Sequence, residues 1–299
     1  MASCLGPSMV CACIDIGSNT TRVLVADAQR GRLTEVLQQR AFTRIGRGLA
    51  AGGSIPRAKI DEVVRVVDEQ RRLAETAGAQ ALRAVATAAI RGAGNRDEVV
   101  EAVGGGCGLE LTILDAEEEA RLAFLGATHT HAGLLDGAVG VVDVGGGSTE
   151  IAVGTVDGGV RWWGSVPIGS SRLTDEELRS DPPTHVELAA MDRRARAALG
   201  TLDVPPAGYA MGVGGSATSL RRLVGPVLDA ESLDRALGVL SAAPAAAVAA
   251  RFEIEPERIP LLPAGILLLA AAARRLGREL HVGCGGLREG VLLDLARSR

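Results

Sequence analysis

The chain has 299 residues, more than a single domain usually holds, and its 47% hydrophobic and 23% charged content fits a globular protein. Aromatics are only 2%, so the cores must be built from Leu, Val, Ile and Ala, and arginine supplies nearly all the positive charge, Lys59 being the one lysine. A net charge of −4 and a pI near 5.7 exclude a general nucleic-acid binder; any polyanionic ligand must be captured locally, by arginines, metal and backbone N–H groups.

Met1 to Val10 lacks basic residues and predicts a frayed tail rather than an export signal, with Met9 as an alternative start. Ile14-Asp15-Ile16-Gly17-Ser18-Asn19-Thr20-Thr21, followed by Val23-Leu24-Val25, reads as strand, tight polar turn, strand. Pro56 to Ala77 sets Ile60, Val63, Val64, Val67 and Leu73 on a helical stripe. Strands are predicted at Ala81 to Ala86 and Leu109 to Leu114, then a helix from Ala116 to Thr128 whose acidic first turn suits the helix dipole. The opening pattern then returns without gaps: Val142-Asp143-Val144-Gly145-Gly146-Gly147-Ser148-Thr149, followed by Ile151-Ala152-Val153. The 128-residue offset is too long for a solenoid and suits two similar domains, each opening with one hairpin. Gly159 to Ile168 predicts a third strand. Helices follow near 184–199, 216–224, 232–240 and 264–276, then strand Leu280 to Val282 and a helix from Leu287. The pattern predicts a two-lobed α/β protein with mixed sheets. Residues 1–117 with the C-terminal helix 287–299 form one lobe, 118–286 the other.

Cys4, Cys11, Cys13, Cys107 and Cys284 are odd in number with no C-x-x-C pairing, which predicts free thiols and a reduced, cytoplasmic setting. The longest apolar run, Ala264 to Ala273, is too short to span a membrane. His129 and His131 are expected exposed at a helix end, and with His185 and His281 they give no zinc spacing. Trp162 and Trp163 should face opposite sides of a strand. Arg193-Arg194-Ala195-Arg196 reads as a solvated helix face, and Asp175-Glu176-Glu177 as a helix start.

An Asp before a Gly-rich turn between strands is a phosphate-binding device. Gly17, and Gly145, Gly146 and Gly147, remove Cβ atoms so that backbone N–H groups, Asn19 included, can turn inward as an anion nest. Ser18, Thr20, Ser148 and Thr149 add hydroxyl donors. Asp15 and Asp143 would repel phosphate directly, so a cation must lie between; Mg²⁺, with Mn²⁺ as a substitute, fills that role. Two such loops across a cleft would clamp adjacent phosphoryl groups. A third turn, Gly214-Gly215-Ser216 within Gly212 to Thr218, lies between a strand and a helix, where helix N-termini bind anions.

These motifs resemble the acetate-kinase/Hsp70/actin superfamily, and more specifically the exopolyphosphatase/guanosine pentaphosphatase (Ppx/GppA) family. Ala86-Thr87-Ala88-Ala89-Ile90-Arg91, Asp115-Ala116-Glu117-Glu118-Glu119-Ala120-Arg121-Leu122 and Gly285-Gly286-Leu287-Arg288-Glu289-Gly290-Val291 extend the match along nearly the whole chain. The resemblance implies two ribonuclease-H-like (actin-like ATPase) domains with mixed sheets flanked by helices and the active site in the interdomain cleft. It implies Glu119 as catalytic base with Glu118 as second choice, Asp143 and Glu150 as metal or water ligands, and Arg91 as a phosphate grip; Arg22 and Arg44 follow as further phosphate contacts. The implied activity is release of terminal orthophosphate from inorganic polyphosphate by water, with no membrane or nucleic-acid partner and a homodimer as the assembly. Larger relatives carry a further C-terminal helical region, so a chain stopping at Arg299 is expected to prefer short chains. Hydrolysis of guanosine pentaphosphate, an ATP-using kinase of the same superfold, and a non-catalytic polyphosphate or alarmone sensor are the competing functions.

Overall fold

The computed structural model describes residues 9–29, 31–50 and 52–297; Cys4 lies outside them. Met9 and Val10, expected in the tail, begin the first strand.

β1 (Met9–Ile16) and β2 (Thr21–Gln29) form the first hairpin, β3 (Arg32–Ala41) pairs antiparallel with β2, and β4 (Ala81–Ala86) and β5 (Leu111–Ile113) continue in parallel beyond β1. β6 (Val139–Val144) and β7 (Thr149–Thr155) form the second hairpin, with β8 (Gly159–Val166) antiparallel outside it and β9 (Tyr209–Val213) parallel to β6. β11 (Leu280–Val282) continues in parallel from β9, and β10 (Val227–Leu228) closes that edge. The orders are β3-β2-β1-β4-β5 and β10-β11-β9-β6-β7-β8. Without β10, the two sheets share one topology. The sequence echo is a structural repeat.

Each sheet is covered on both faces, which is why the central strands read as continuous apolar runs. In the first lobe, Ile14, Ile16, Val23 and Val25 pack with the helices Arg57–Thr76 and Arg96–Cys107. Cys11, Cys13, Leu24 and Ala26 face the other way, onto Leu287, Val291 and Leu292 of the terminal helix Leu287–Arg297. The helix Ala116–His129 stands between the lobes: Ala120, Phe124 and Ala127 pack on the second sheet, and Leu122 on the cluster beneath the terminal helix. Close approach fixes that junction, since a Cβ on Gly126 would fall 1.9 Å from the Gly286 carbonyl and one on Gly290 1.9 Å from the Leu122 carbonyl.

Several expectations change. β3 was not anticipated; its exposed, charged residues are those of a protected sheet edge, not a core strand. The Arg96–Cys107 helix forms despite Gly104 to Gly106, because Val99, Val103 and Cys107 are buried against the first core. Asp175 to Glu177 ends the helix Ser170–Glu177 rather than starting one. His129 and His131 are half-buried, His131 edge-on to Tyr209. Pro256–Leu276 is a helical stretch long and apolar enough to cross a membrane, but 67% of its apolar window is buried in the second core.

Candidate active site

The two hairpin turns are built alike. Gly17 N–H donates to the Thr20 carbonyl and Gly145 N–H to the Ser148 carbonyl, both at 3.0 Å. Each turn holds an Asp two residues earlier, at the end of the strand. The N–H groups of Ser18, Asn19, Gly146 and Gly147 donate to no acceptor among the described residues, so both tips present free amides. The tips meet: a Cβ on Gly147 would lie 2.6 Å from Ser18 Oγ and 3.1 Å from Ala88 Cβ. Glycine at 147 thus keeps the gap open between the lobes.

That gap is a cleft of about 150 Å³ lined by Asp15, Gly17 to Thr20, Arg22, Glu119, Asp143 and Gly145 to Ser148, with Gly214 and Gly215 behind. Gly214, at φ +84°, leaves room for Asp143: a Cβ there would stand 2.6 Å from Asp143 Oδ1. A Cβ on Gly215 would strike the Arg258 guanidinium at 2.3 Å. The third glycine turn therefore seats an acid and a base.

Glu119 enters the cleft from the first turn of the Ala116–His129 helix, whose N-cap Asp115 accepts the Glu118 N–H at 2.8 Å. It is 6% exposed, and its Oε2 accepts from Arg91 Nη1 at 2.7 Å. A second bond from the same Nη1 to the Leu114 carbonyl, 2.8 Å, fixes that guanidinium. Burial pushes the Glu119 carboxyl up to about 7, with the Arg91 charge and hydrogen bond opposing and the charges of Asp143 and Asp15 adding. Glu118 instead turns to Arg121, at 2.7 and 2.8 Å, and does not line the cleft.

The remaining candidates divide. Arg22 lines the cleft, its Nε donating to Thr20 Oγ1 at 3.1 Å. Arg91 stands behind Glu119, and Glu150 is buried one layer back, its Oε1 accepting from Ser165 Oγ at 2.8 Å. Arg44 lies in an adjoining compartment. Thr149 Oγ1 donates to the Ile168 carbonyl at 2.8 Å, and Ser216 is buried against Gly265; neither side chain is a cleft wall.

Burial raises Asp15 to about 6 and Asp143 to about 7, the latter helped by the Asp15 and Glu289 charges, and raises Glu150 well above the usual range with Glu119 and Asp143 adding. Asp15 Oδ1 and Glu150 Oε2 are buried with no hydrogen-bond partner. Clustered, partly orphaned carboxylate oxygens are the donor set a hard divalent cation takes. No three His, Cys, Asp or Glu side chains among the described residues form an all-protein cage, but Mg²⁺ needs only one or two carboxylates beside water and phosphate. Asp15 and Asp143 fit that demand.

Among the walls that sequence reasoning missed are Arg258, Ser171 and Arg288. Arg258 is 6% exposed, its Nε has no partner, and burial with the Arg288 charge pulls it down to about 10, still cationic at neutral pH. An arginine leading directly into apolar residues, as in Arg258-Ile259-Pro260-Leu261, was its available signal. Ser171, with an unpartnered buried hydroxyl, sits in the first turn of the Ser170–Glu177 helix, which a Gly-Ser-Ser entry could have flagged. Arg288 opens the terminal helix, within a motif quoted only for its likeness.

Comparison with known proteins adds a family. The model of the Ppx/GppA phosphatase family matches residues 24–299. Exopolyphosphatase 1 of Mycobacterium tuberculosis is 31% identical over 298 residues, covering 94% of this chain and 86% of that protein. A guanosine-5′-triphosphate,3′-diphosphate pyrophosphatase of Aeromonas hydrophila is 27% identical, covering 95% of this chain and 59% of that one. The crystal structure of the Aquifex aeolicus Ppx/GppA family member superposes with a TM-score of 0.82 at 30% identity, covering 98% of this chain and 99% of its own.

Proposed function

The chain belongs to the Ppx/GppA phosphatase family and is a phosphoanhydride hydrolase, and from that premise we propose that it is an exopolyphosphatase, releasing terminal orthophosphate from inorganic polyphosphate. One observation carries the reading: a buried, guanidinium-tethered Glu119 faces two amide-lined hairpin tips that meet across a single cleft. Its walls are amides, hydroxyls, carboxylates and guanidiniums, the surface a chain of phosphoryl groups asks for. Free tip amides would hold the non-bridging oxygens of neighbouring phosphoryl groups, with Arg22 and Arg258 matching their charge. Glu119 would orient a water on the terminal phosphorus and accept its proton as the P–O(water) bond forms. The bridging P–O bond then breaks, leaving orthophosphate and a chain one unit shorter. A Mg²⁺ or Mn²⁺ ion held by Asp15 and Asp143, with Glu150 behind, would supply charge neutralisation on the transferring group.

Buried thiols at Cys11, Cys13 and Cys107 support a reducing, cytoplasmic setting. The test is phosphate release from polyphosphate, guanosine pentaphosphate and ATP in parallel with divalent cation. Release from guanosine pentaphosphate alone would replace the substrate; release from none would sink the activity.

A further inference from the structure

The catalytic cleft continues into a second compartment. Ser18, Asn19, Ser171 and Leu261 line both, and the second, at about 460 Å³, is the larger space beside the cleft's 150 Å³. The cavity behind the Ala116–His129 helix and the one beside Tyr209 share no wall with the cleft. A linear substrate longer than the few groups the cleft admits must leave it somewhere, and this is the connected volume.

The turn 44–47 forms one side of that compartment and is tied to the phosphate-binding hairpin. Arg44 N–H donates to the Asn19 carbonyl at 3.0 Å and Gly46 N–H to the Ser18 carbonyl at 2.9 Å. Gly46 permits the approach, since a Cβ there would stand 2.9 Å from Ser18 Cβ. Arg44 is held at φ +48°, in the left-handed region a non-glycine residue rarely occupies, and the two bonds to the hairpin hold it there. Strain kept in place beside a functional loop aims side chains. Arg44 and Arg47 both line the compartment, and neither has a carboxylate within ion-pair distance among the described residues. On the facing wall, Asp175 Oδ2 accepts the Gly48 N–H at 3.3 Å and Asp181 Oδ1 the Ala245 N–H at 2.8 Å, while Glu257 is exposed. Arg179 donates to the carbonyls of Asp175, Glu176 and Leu178. The guanidiniums left for a ligand are those on the hairpin side.

We propose that Arg47, beside Arg44, grips the phosphoryl groups of a polyphosphate chain that lie beyond the catalytic cleft, so that this compartment is the chain's path out of the active site. The inference rests on the exopolyphosphatase reading and adds a length-determining residue to it. A planar guanidinium suits phosphate oxygens in a bidentate grip.

The experiment compares initial rates on tripolyphosphate and on long-chain polyphosphate for the wild type, Arg47→Glu and Arg47→Gln, at low and high salt. Arg47 is exposed, and circular dichroism checks that the fold is retained. The ratio of kcat/KM for the long chain to that for tripolyphosphate is expected to fall about tenfold in Arg47→Glu, equivalent to ~1.4 kcal/mol, and less in Arg47→Gln. Added salt should shrink the gap, because an exposed contact is screened. An unchanged ratio in both variants overturns the proposal while leaving the activity standing. A wild type that cleaves neither substrate removes the activity itself, and the proposal with it.

Discussion

Arg91 opposes the burial that raises Glu119, so with Glu119 as the proposed general base, removing the Arg91 charge should move the pH at which it becomes available in a known direction. Glu119 is pushed up to about 7 by burial, against the pull of the Arg91 charge and its 2.7 Å hydrogen bond. A base works only when deprotonated, so kcat/KM for phosphate release should fall as pH drops below about 7 and level off above it. Arg91→Met keeps the bulk and removes the donor. A hydrogen bond to a charged group contributes about 1.5–3 kcal/mol, and one pH unit corresponds to about 1.36 kcal/mol, so the acidic limb should climb by roughly one to two units. The assay is kcat/KM against pH for both proteins at fixed Mg²⁺. Raising Mg²⁺ should lower both limbs together, because a cation at Asp15 and Asp143 offsets charges that raise Glu119. A plateau that falls while the limb stays in place would instead mark a phosphate contact of Arg91. A limb that stays at the wild-type pH refutes the electrostatic account of Glu119.

Glu119→Gln should lower kcat by about 10²–10⁴-fold while polyphosphate still binds, measured by single-turnover release beside a filter-binding titration; full turnover would remove the base assignment. Stability should couple to pH through Asp15 and Asp143, raised to about 6 and about 7. Between the ordinary carboxylate range and those values the folded chain holds protons that the unfolded chain has released. Their stabilising contribution is therefore complete at low pH and is lost as pH rises through about 7. At the proposed Asp15–Asp143 site Mg²⁺ would bind the deprotonated pair, so it should raise Tm more at pH 8 than at pH 5, and equal rises would contradict the assignment. Gly290→Ala drives a Cβ to within 1.9 Å of the Leu122 carbonyl, where backbone must shift, and should cost about 1–3 kcal/mol in urea titrations. A neutral result would refute close backbone contact as what holds the two helices together at this junction.

The fold was legible where periodicity and burial agree. β1 and β6 are buried on both faces, so their apolar runs announced themselves, and the Gly-rich turns marked the hairpins. β3 was invisible because an edge strand's residues answer to solvent, not to a core. Within the site, sequence could find loops, because amides are presented by backbone geometry that glycine advertises. It could not see that Gly214 and Gly215 serve by making room for Asp143 and Arg258, since both contacts join segments distant along the chain. Nor could it separate Glu118 from Glu119 without the family likeness: adjacent acids on one helix turn differ only in which way they point, and tertiary packing sends one to Arg121 and the other into the cleft.

The repeated hairpins also explain why a nearly symmetric scaffold yields an asymmetric site. Asp15 pairs in register with Arg22 across the first hairpin, and Asp143 with Glu150 across the second. The turn hydrogen bond is the same in both, and at this register position the partner's charge differs. In the first lobe the pair is acid and base, so Arg22 adds a cation to the cleft wall, while Asp15 is still pushed up by burial and left to a metal ion. In the second the pair is two acids, both pushed up by burial, and the hairpin needs an external cation before it can face anything anionic. Glu119 stands on the helix between the lobes, where the Asp143 and Asp15 charges both reach it. Two like hairpins thus differ in charge at one equivalent register position, and the second brings an extra carboxylate, Glu150, to a site whose metal would lie between Asp15 and Asp143.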